Sequence, residues 1–117
     1  MRPAATPRSP SGGVVADPIR IRARWASGQT EVHVLMPHPM ETGMRRDPKG
    51  DLIAAHYITD VEIATSGRVV LAANLSLAVS QDPLLHFRFR GGAVGERITV
   101  TWLDNVGQRR LDEGVIA

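Results

Sequence analysis

The chain has 117 residues, enough for one domain that buries a core without disulfide or metal staples. It carries no cysteine, which excludes disulfides, thiol nucleophiles and thiolate metal sites. The net charge is +2, with Lys49 the single lysine beside thirteen arginines, and no large basic excess interleaved with aromatics marks a nucleic-acid binder.

Residues 1–17 are rich in Pro, Ser, Gly and Ala and predict a disordered tail ahead of a domain over 18–117. The opening segment lacks the apolar stretch of a secretory signal, and no apolar run approaches the ~20 residues of a membrane span, so no membrane insertion is expected. From Pro18 the pattern has period two. Ile19, Ile21 and Ala23 alternate with Arg20, Arg22 and Arg24, a half-buried strand with a basic outer face. Ser27-Gly28 makes a turn, and Val32, Val34 and Met36 form the apolar side of a second strand that Pro37 ends.

Residues 37–52 (PHPMETGMRRDPKGDL) predict a long loop, and loops of that length in a compact domain are usually functional or disordered. In 56–65 the alternation puts Tyr57, Thr59, Val61 and Ile63 on one face and Asp60 and Glu62 on the other. Ser66-Gly67 signals a hairpin, with Arg68–Ala72 returning. Residues 74–83 are ambiguous: Leu75, Leu77 and Val79 alternate as in a short strand, and Asp82-Pro83 closes the segment. Clear strands follow at Leu85, Phe87, Phe89 and at Ile98, Val100, Trp102, and a last one over 108–116 after the turn Asp104–Gly107. About seven antiparallel strands without a convincing helix predict an all-β, immunoglobulin-like β-sandwich, with a core of Val, Ile, Leu and Ala because aromatics are only 4% of the chain.

Several groupings could carry chemistry. Met36, His38, Met40 and Met44 crowd around the loop, and thioether and imidazole ligands suit Cu(I); a small periplasmic copper-binding module is therefore the alternative reading, against a packed loop whose methionines fill gaps. His38 and Glu41 could form a general base, but no nucleophile in a strained elbow and no second carboxylate accompany them, so no catalytic residue and no enzyme activity are expected. Gly91–Gly95 lacks the helix and the Lys-Ser/Thr of a phosphate cradle. The rows Arg20/Arg22/Arg24 and Arg88/Arg90 suit either a solvated face or an acidic partner.

His38-Pro39-Met40-Glu41-Thr42-Gly43, followed by Met44-Arg45-Arg46-Asp47, resembles the signature of the SoxZ family. Ala78–Pro83 with Leu85–Phe89, and Thr101-Trp102-Leu103-Asp104 with Gly107, are similar to further family segments, and the likeness spans about residues 18–117. The chain departs from the family in Asp82 before Pro83, where Asn is expected, in an Arg-rich rather than Lys-rich first strand, and in a longer tail. The resemblance implies an immunoglobulin-like sandwich that binds no cofactor and no metal. It implies tight pairing with a SoxY-like protein whose flexible C-terminal arm carries sulfur intermediates on a Cys, and contact with other sulfur-oxidation enzymes through that complex. It also implies a periplasmic protein exported folded with its partner, since it lacks its own signal. The loop residues His38, Pro39, Met40, Glu41, Thr42, Gly43, Arg45 and Arg46 are then the candidate partner-binding set.

Overall fold

A computed structural model describes residues 17–117; the tail expected over 1–17 lies, apart from Asp17, outside the described residues. Seven strands follow one another: β1 (Arg20–Ala26), β2 (Gln29–Leu35), β3 (Ile58–Thr65), β4 (Arg68–Asn74), β5 (Leu84–Arg90), β6 (Arg97–Asp104) and β7 (Arg109–Val115). They form two antiparallel sheets, β1-β2-β5 and β4-β3-β6-β7, the immunoglobulin-like sandwich that the alternation predicts. No helix forms among the described residues, and none is therefore long and apolar enough to cross a membrane.

Alternation decides the layers. Val32, Val34 and Met36 from one sheet meet Ile63, Ile98, Val100 and Trp102 from the other, all essentially fully buried. Leu85, Phe87 and Phe89 pack partly against them. Each fully buried aliphatic side chain stabilises the fold by about 1.5–3 kcal/mol, so this β-branched core supplies the driving force that aromatics provide elsewhere. One side of the sandwich is closed by backbone bonds: Trp25 N–H donates to Ala117 O at 2.9 Å and Ala117 N–H to Ala23 O at 2.9 Å. Ile19 N–H donates to the Asp112 carboxylate at 2.9 Å, which ties the start of β1 to β7.

Two of the hairpins turn on Ser-Gly. Ser27 and Gly28 have φ of 53° and 81°, and Ser66 and Gly67 have 51° and 73°. Positive φ at both central residues matches the right-handed strand twist, the reason tight hairpins favour it. Gly92 is required for space as well as conformation: at φ 82° an added Cβ would sit 2.2 Å from Thr30 Oγ1, a buried hydroxyl bonded to Gly91 O.

Two sequence expectations change. Strand β3 pairs Ile58 with Asp104 but Asp60 with Leu103, which leaves Thr59 as an extra residue. This bulge breaks the strict alternation: Ile58 rather than Tyr57 or Thr59 joins Val61 and Ile63 in the core. Of the ambiguous stretch 74–83, Asn74 ends β4 and 75–83 form no strand. After β4 it turns, with Val79 N–H donating to Ser76 O; Leu75 and Val79 pack against the core while Leu77 is exposed.

Candidate functional site

The 37–57 connection between β2 and β3 is an ordered two-stranded arm. Glu41 and His56 exchange backbone bonds of 2.7 and 2.9 Å, and a further bridge joins Arg46 and Leu52. The tip turns at 47–51, where Asp47 Oδ1 accepts from the backbone N–H groups of Lys49 and Asp51 at 2.9 and 3.0 Å. Proline and glycine thus shape the arm without leaving it structureless.

A buried cluster fixes the arm's base. Asp104 ends β6 on the core-facing side that Ile98, Val100 and Trp102 occupy, so the strand period carries a carboxylate into the interior. Its Oδ2 accepts from Nε2 of His38 at 3.0 Å and of His56 at 2.7 Å. Its Oδ1 accepts from Val106 N–H at 3.1 Å and Gln108 N–H at 2.8 Å. His38 Nδ1 in turn accepts Met40 N–H at 3.1 Å, which makes Nε2–H the donor toward Asp104. The neutral form of His38 fits every partner. Burial pushes its basicity below the ordinary histidine range, against the opposing pull of Asp104. The His38 ring also stands edge-on to Trp102, with centroids 5.1 Å apart.

A second clasp lies beside the first. Asn105 Oδ1 accepts from Tyr57 N–H at 2.8 Å, its Nδ2 donates to Ala55 O at 2.9 Å, and its own N–H donates to Tyr57 O at 3.0 Å. The β6–β7 turn thereby holds both ends of the arm: His38 on the way out, His56 and Tyr57 on the way back. On the outgoing side His38 and Asp82 also pair, with His38 N–H donating to Asp82 Oδ1 at 2.9 Å.

This arrangement does not support acid–base catalysis by His38 and Glu41. His38 turns to Asp104, whereas Glu41 takes a bidentate contact from Arg45, at 2.5 and 3.1 Å, whose guanidinium holds its carboxyl below the usual range. The copper set is divided as well, with Met44 outside and the other three members buried. Met36 and Met40 are core residues, with Met40 Sδ accepting from Ile58 N–H, and Met44 is 82% exposed on the arm. Ligand atoms of His38, His56 and Asp104 do lie within 4.8 Å of one another, but the carboxylate already has four donors and both His38 nitrogens are engaged. The cluster is satisfied as a hydrogen-bonded clasp.

The structure divides the candidate partner-binding set. His38 and Met40 are about 5 and 6% exposed and act inside the fold, so a partner cannot meet their side chains. Pro39, Arg45 and Arg46 are exposed, and Glu41, Thr42 and Gly43 half-buried. Met44 and Leu52, 82 and 56% exposed, add an apolar element to this surface that the sequence motif does not mark. A concavity of about 350 Å³ lies elsewhere, on the outer face of the four-stranded sheet between Asp60, Glu62, Ala72, Asn74, Thr101 and Arg109.

Fold and site together define a cysteine-free β-sandwich that projects an ordered arm from a histidine–carboxylate clasp. The family described as "Sulphur oxidation protein SoxZ" matches residues 19–114. The chain belongs to the SoxZ family, and its role lies in sulfur oxidation. No curated protein matches the chain. Among solved structures it is similar to hypothetical protein PH1083 from Pyrococcus horikoshii OT3, with TM-score 0.60, 16% identity, and 87% of this chain and 89% of that chain covered. It is also similar to a superoxide reductase in the oxidized state, with TM-score 0.59, 16% identity and coverage of 94% and 95%. A third is a variant of the superoxide reductase (neelaredoxin) from Archaeoglobus fulgidus in the reduced form, with TM-score 0.54, 22% identity and 85% of each chain covered. At these identities the likeness is one of fold.

Proposed function

We propose that this chain is the scaffold half of a heterodimeric sulfur carrier. It pairs with a SoxY-like protein whose C-terminal arm Cys holds the covalent sulfur intermediates, and it presents that arm to the other enzymes of thiosulfate oxidation in the periplasm. Membership of the SoxZ family over 19–114 is the observation that carries this reading. The chain's chemistry agrees with it: without cysteine it can hold no sulfur as a thiol adduct and does not compete with the partner's thiol. The family favours neither the copper module nor a stand-alone enzyme.

The outward side of the arm is the recognition surface in this reading. A mobile carrier arm needs a stiff base, and this surface is stiff because Asp104 and Asn105 pin it from below. Met44 and Leu52 supply apolar contact, and Arg45 and Arg46 supply charge-assisted donors. A permanent pair buries on the order of 2,000 Å² or more in total, so the arm directs an interface that extends over neighbouring surface.

Co-expression with a SoxY-like protein, gel filtration and intact-mass analysis test the proposal. The expected result is a one-to-one complex with sulfur adducts on the partner alone. Alanine at Glu41, Thr42, Met44, Arg45 and Arg46 together should weaken pairing or thiosulfate turnover while leaving the fold intact. A monomer that ignores the partner refutes the pairing. A complex and turnover both unchanged by the five alanines refute the role given to the arm.

A further inference from the structure

The outer face of the three-stranded sheet is a grid set by strand register. Cross-strand neighbours form the rows Arg24–Glu31–Arg88, Arg22–His33–His86 and Arg20–Leu35–Leu84, with Gln29–Arg90 beyond. Residues opposed in this way stand on the same face about 5 Å apart. Glu31 is the single acid in the grid, and it is already engaged: His86 Nε2 lies at 2.7 Å and Arg88 at 3.6 Å. Five guanidiniums against one carboxylate leave an excess of four positive charges on a chain whose net charge is +2. Charge is therefore sorted by face. The outer face of the other sheet mixes Asp60, Glu62 and Glu113 with Arg97 and Arg109.

Edge protection accounts for part of this grid only. Charged residues guard open sheet edges, as Arg88 and Arg90 do on the edge strand β5, but the β1 edge is already covered at Ala23 and Trp25 by backbone bonds with Ala117. Three arginines at alternate positions repel one another and gain nothing for the sheet itself. All five cations are arginines, whose planar fork pairs bidentately with carboxylates and which is enriched where proteins meet. Trp25, 42% exposed, borders the grid beside Arg24 and Arg88, but one ring does not make the series of stacking platforms that a nucleic-acid strand uses.

We propose that this face is a transient docking surface for an acidic patch on another protein, separate from the arm and independent of the pairing proposed above. Its size sets the kind of encounter. Three seven-residue strands span about 23 by 14 Å, well short of the ~800 Å² that each side of a stable interface contributes. A contact this small and this charged forms quickly and dissolves with salt, as suits partners that come and go.

The test uses the full chain and fluorescently labelled poly-L-glutamate as a carboxylate-only probe, followed by anisotropy. Binding is expected at 20 mM NaCl and at least tenfold weaker at 200 mM. Arg22→Glu/Arg24→Glu/Arg88→Glu should abolish it, and the neutral Arg22→Gln/Arg24→Gln/Arg88→Gln should weaken it at least fivefold with the melting curve unchanged. Arg45→Glu/Arg46→Glu on the arm should leave it within twofold. Equal binding by the wild type and the triple-Gln variant overturns the proposal. So does tenfold tighter binding to duplex DNA or to phosphatidylglycerol vesicles through the same arginines, which assigns the face to phosphates. Low-salt self-association lost in the triple variants overturns it as well, because it assigns the face to a second copy of the chain.

Discussion

The chain's four histidines work in two pairs, each with one carboxylate: His38 and His56 with Asp104, and His33 and His86 with Glu31. In both clusters the ligand atoms lie within 4.8 Å of one another, yet the two are built on different physics. Around Asp104 every contact is directional. Four donors converge on the carboxylate, and the Met40 N–H fixes the His38 tautomer. Around Glu31 the register does the placing. His33 and His86 are direct cross-strand partners with rings stacked at 4.0 Å, on the solvent side of the sheet among arginines. The same side chains are thus a structural clasp in one place and part of a charged surface in the other, and what differs is the count of fixed partners and the access of water.

The largest expected effect separates the two carboxylates. Asp104→Ala leaves the His38 Nε2–H and the backbone N–H groups of Val106 and Gln108 without their acceptor and leaves His56 Nε2 with Gln108 Oε1 alone at 3.1 Å, and each buried donor left unmet costs about 1–3 kcal/mol. Urea unfolding should show it as a large loss in midpoint. Glu31→Ala removes an exposed contact and should shift the midpoint only slightly, far less than Asp104→Ala does. Comparable losses in the two variants would mean that the clusters do the same work. Asn105→Ala comes next. It removes the two side-chain bonds to Tyr57 and Ala55 and should cost about 1–2 kcal/mol. Hydrogen exchange should speed up at residues 55–57 first, with the strand amides of β2 and β6 following only the global loss.

Acid should act on the inner cluster through His38. Burial holds His38 below its ordinary pKa of about 6.5, so the unfolded chain takes up the proton first as pH falls. The stability that neutral His38 contributes is whole above pH ~6.5 and drains away below it, by at most ~1.4 kcal/mol per pH unit for one proton. Asp112 adds a second loss at lower pH. Burial opposes its ionisation, but the hydrogen bonds from Arg110 and Ile19 outweigh that and hold its pKa down, so its contribution is lost as pH falls below the ordinary aspartate value. Urea midpoints at pH 8, 6.5 and 5.5 should fall over the last step. His38→Gln should flatten that step. A step unchanged in His38→Gln would place the acid sensitivity elsewhere.

The sequence could announce the strands because each buries one face. Ile98, Val100 and Trp102 or Leu85, Phe87 and Phe89 alternate over enough residues to define a period without tertiary information. It could not announce the bulge at Thr59, which only the pairing with β6 creates, so strict alternation puts the residues before Val61 on the wrong face. Nor could it show Asp104 as the partner of His38, 66 residues away, since Asp-Asn-Val-Gly has the composition of an ordinary turn. The motif His38–Gly43 points to the right segment but not to its division into a buried anchor and an exposed surface. The arginine rows are visible as period two, whereas their assembly into one face needs the register of β1, β2 and β5.

Salt gives the smallest effect and the finest discrimination. Screening acts over about 10 Å at 0.1 M ionic strength and reaches exposed charges far more than buried ones. Glu31→Gln removes the one acid of the basic grid. At 20 mM NaCl this should shift the urea midpoint slightly, because the loss of the contacts with His86 and Arg88 is joined by repulsion among arginines that Glu31 no longer offsets. In 500 mM NaCl the shift should vanish. Asp104→Asn should lose the same stability at both salt concentrations, since its partners are hydrogen-bond donors within 3.1 Å in the interior and no mobile ion can stand between them. A Glu31→Gln effect that persists at 500 mM would show that the outer pair is held by short-range bonds as the inner one is. The sheet face would then be a rigid site rather than a field of charge.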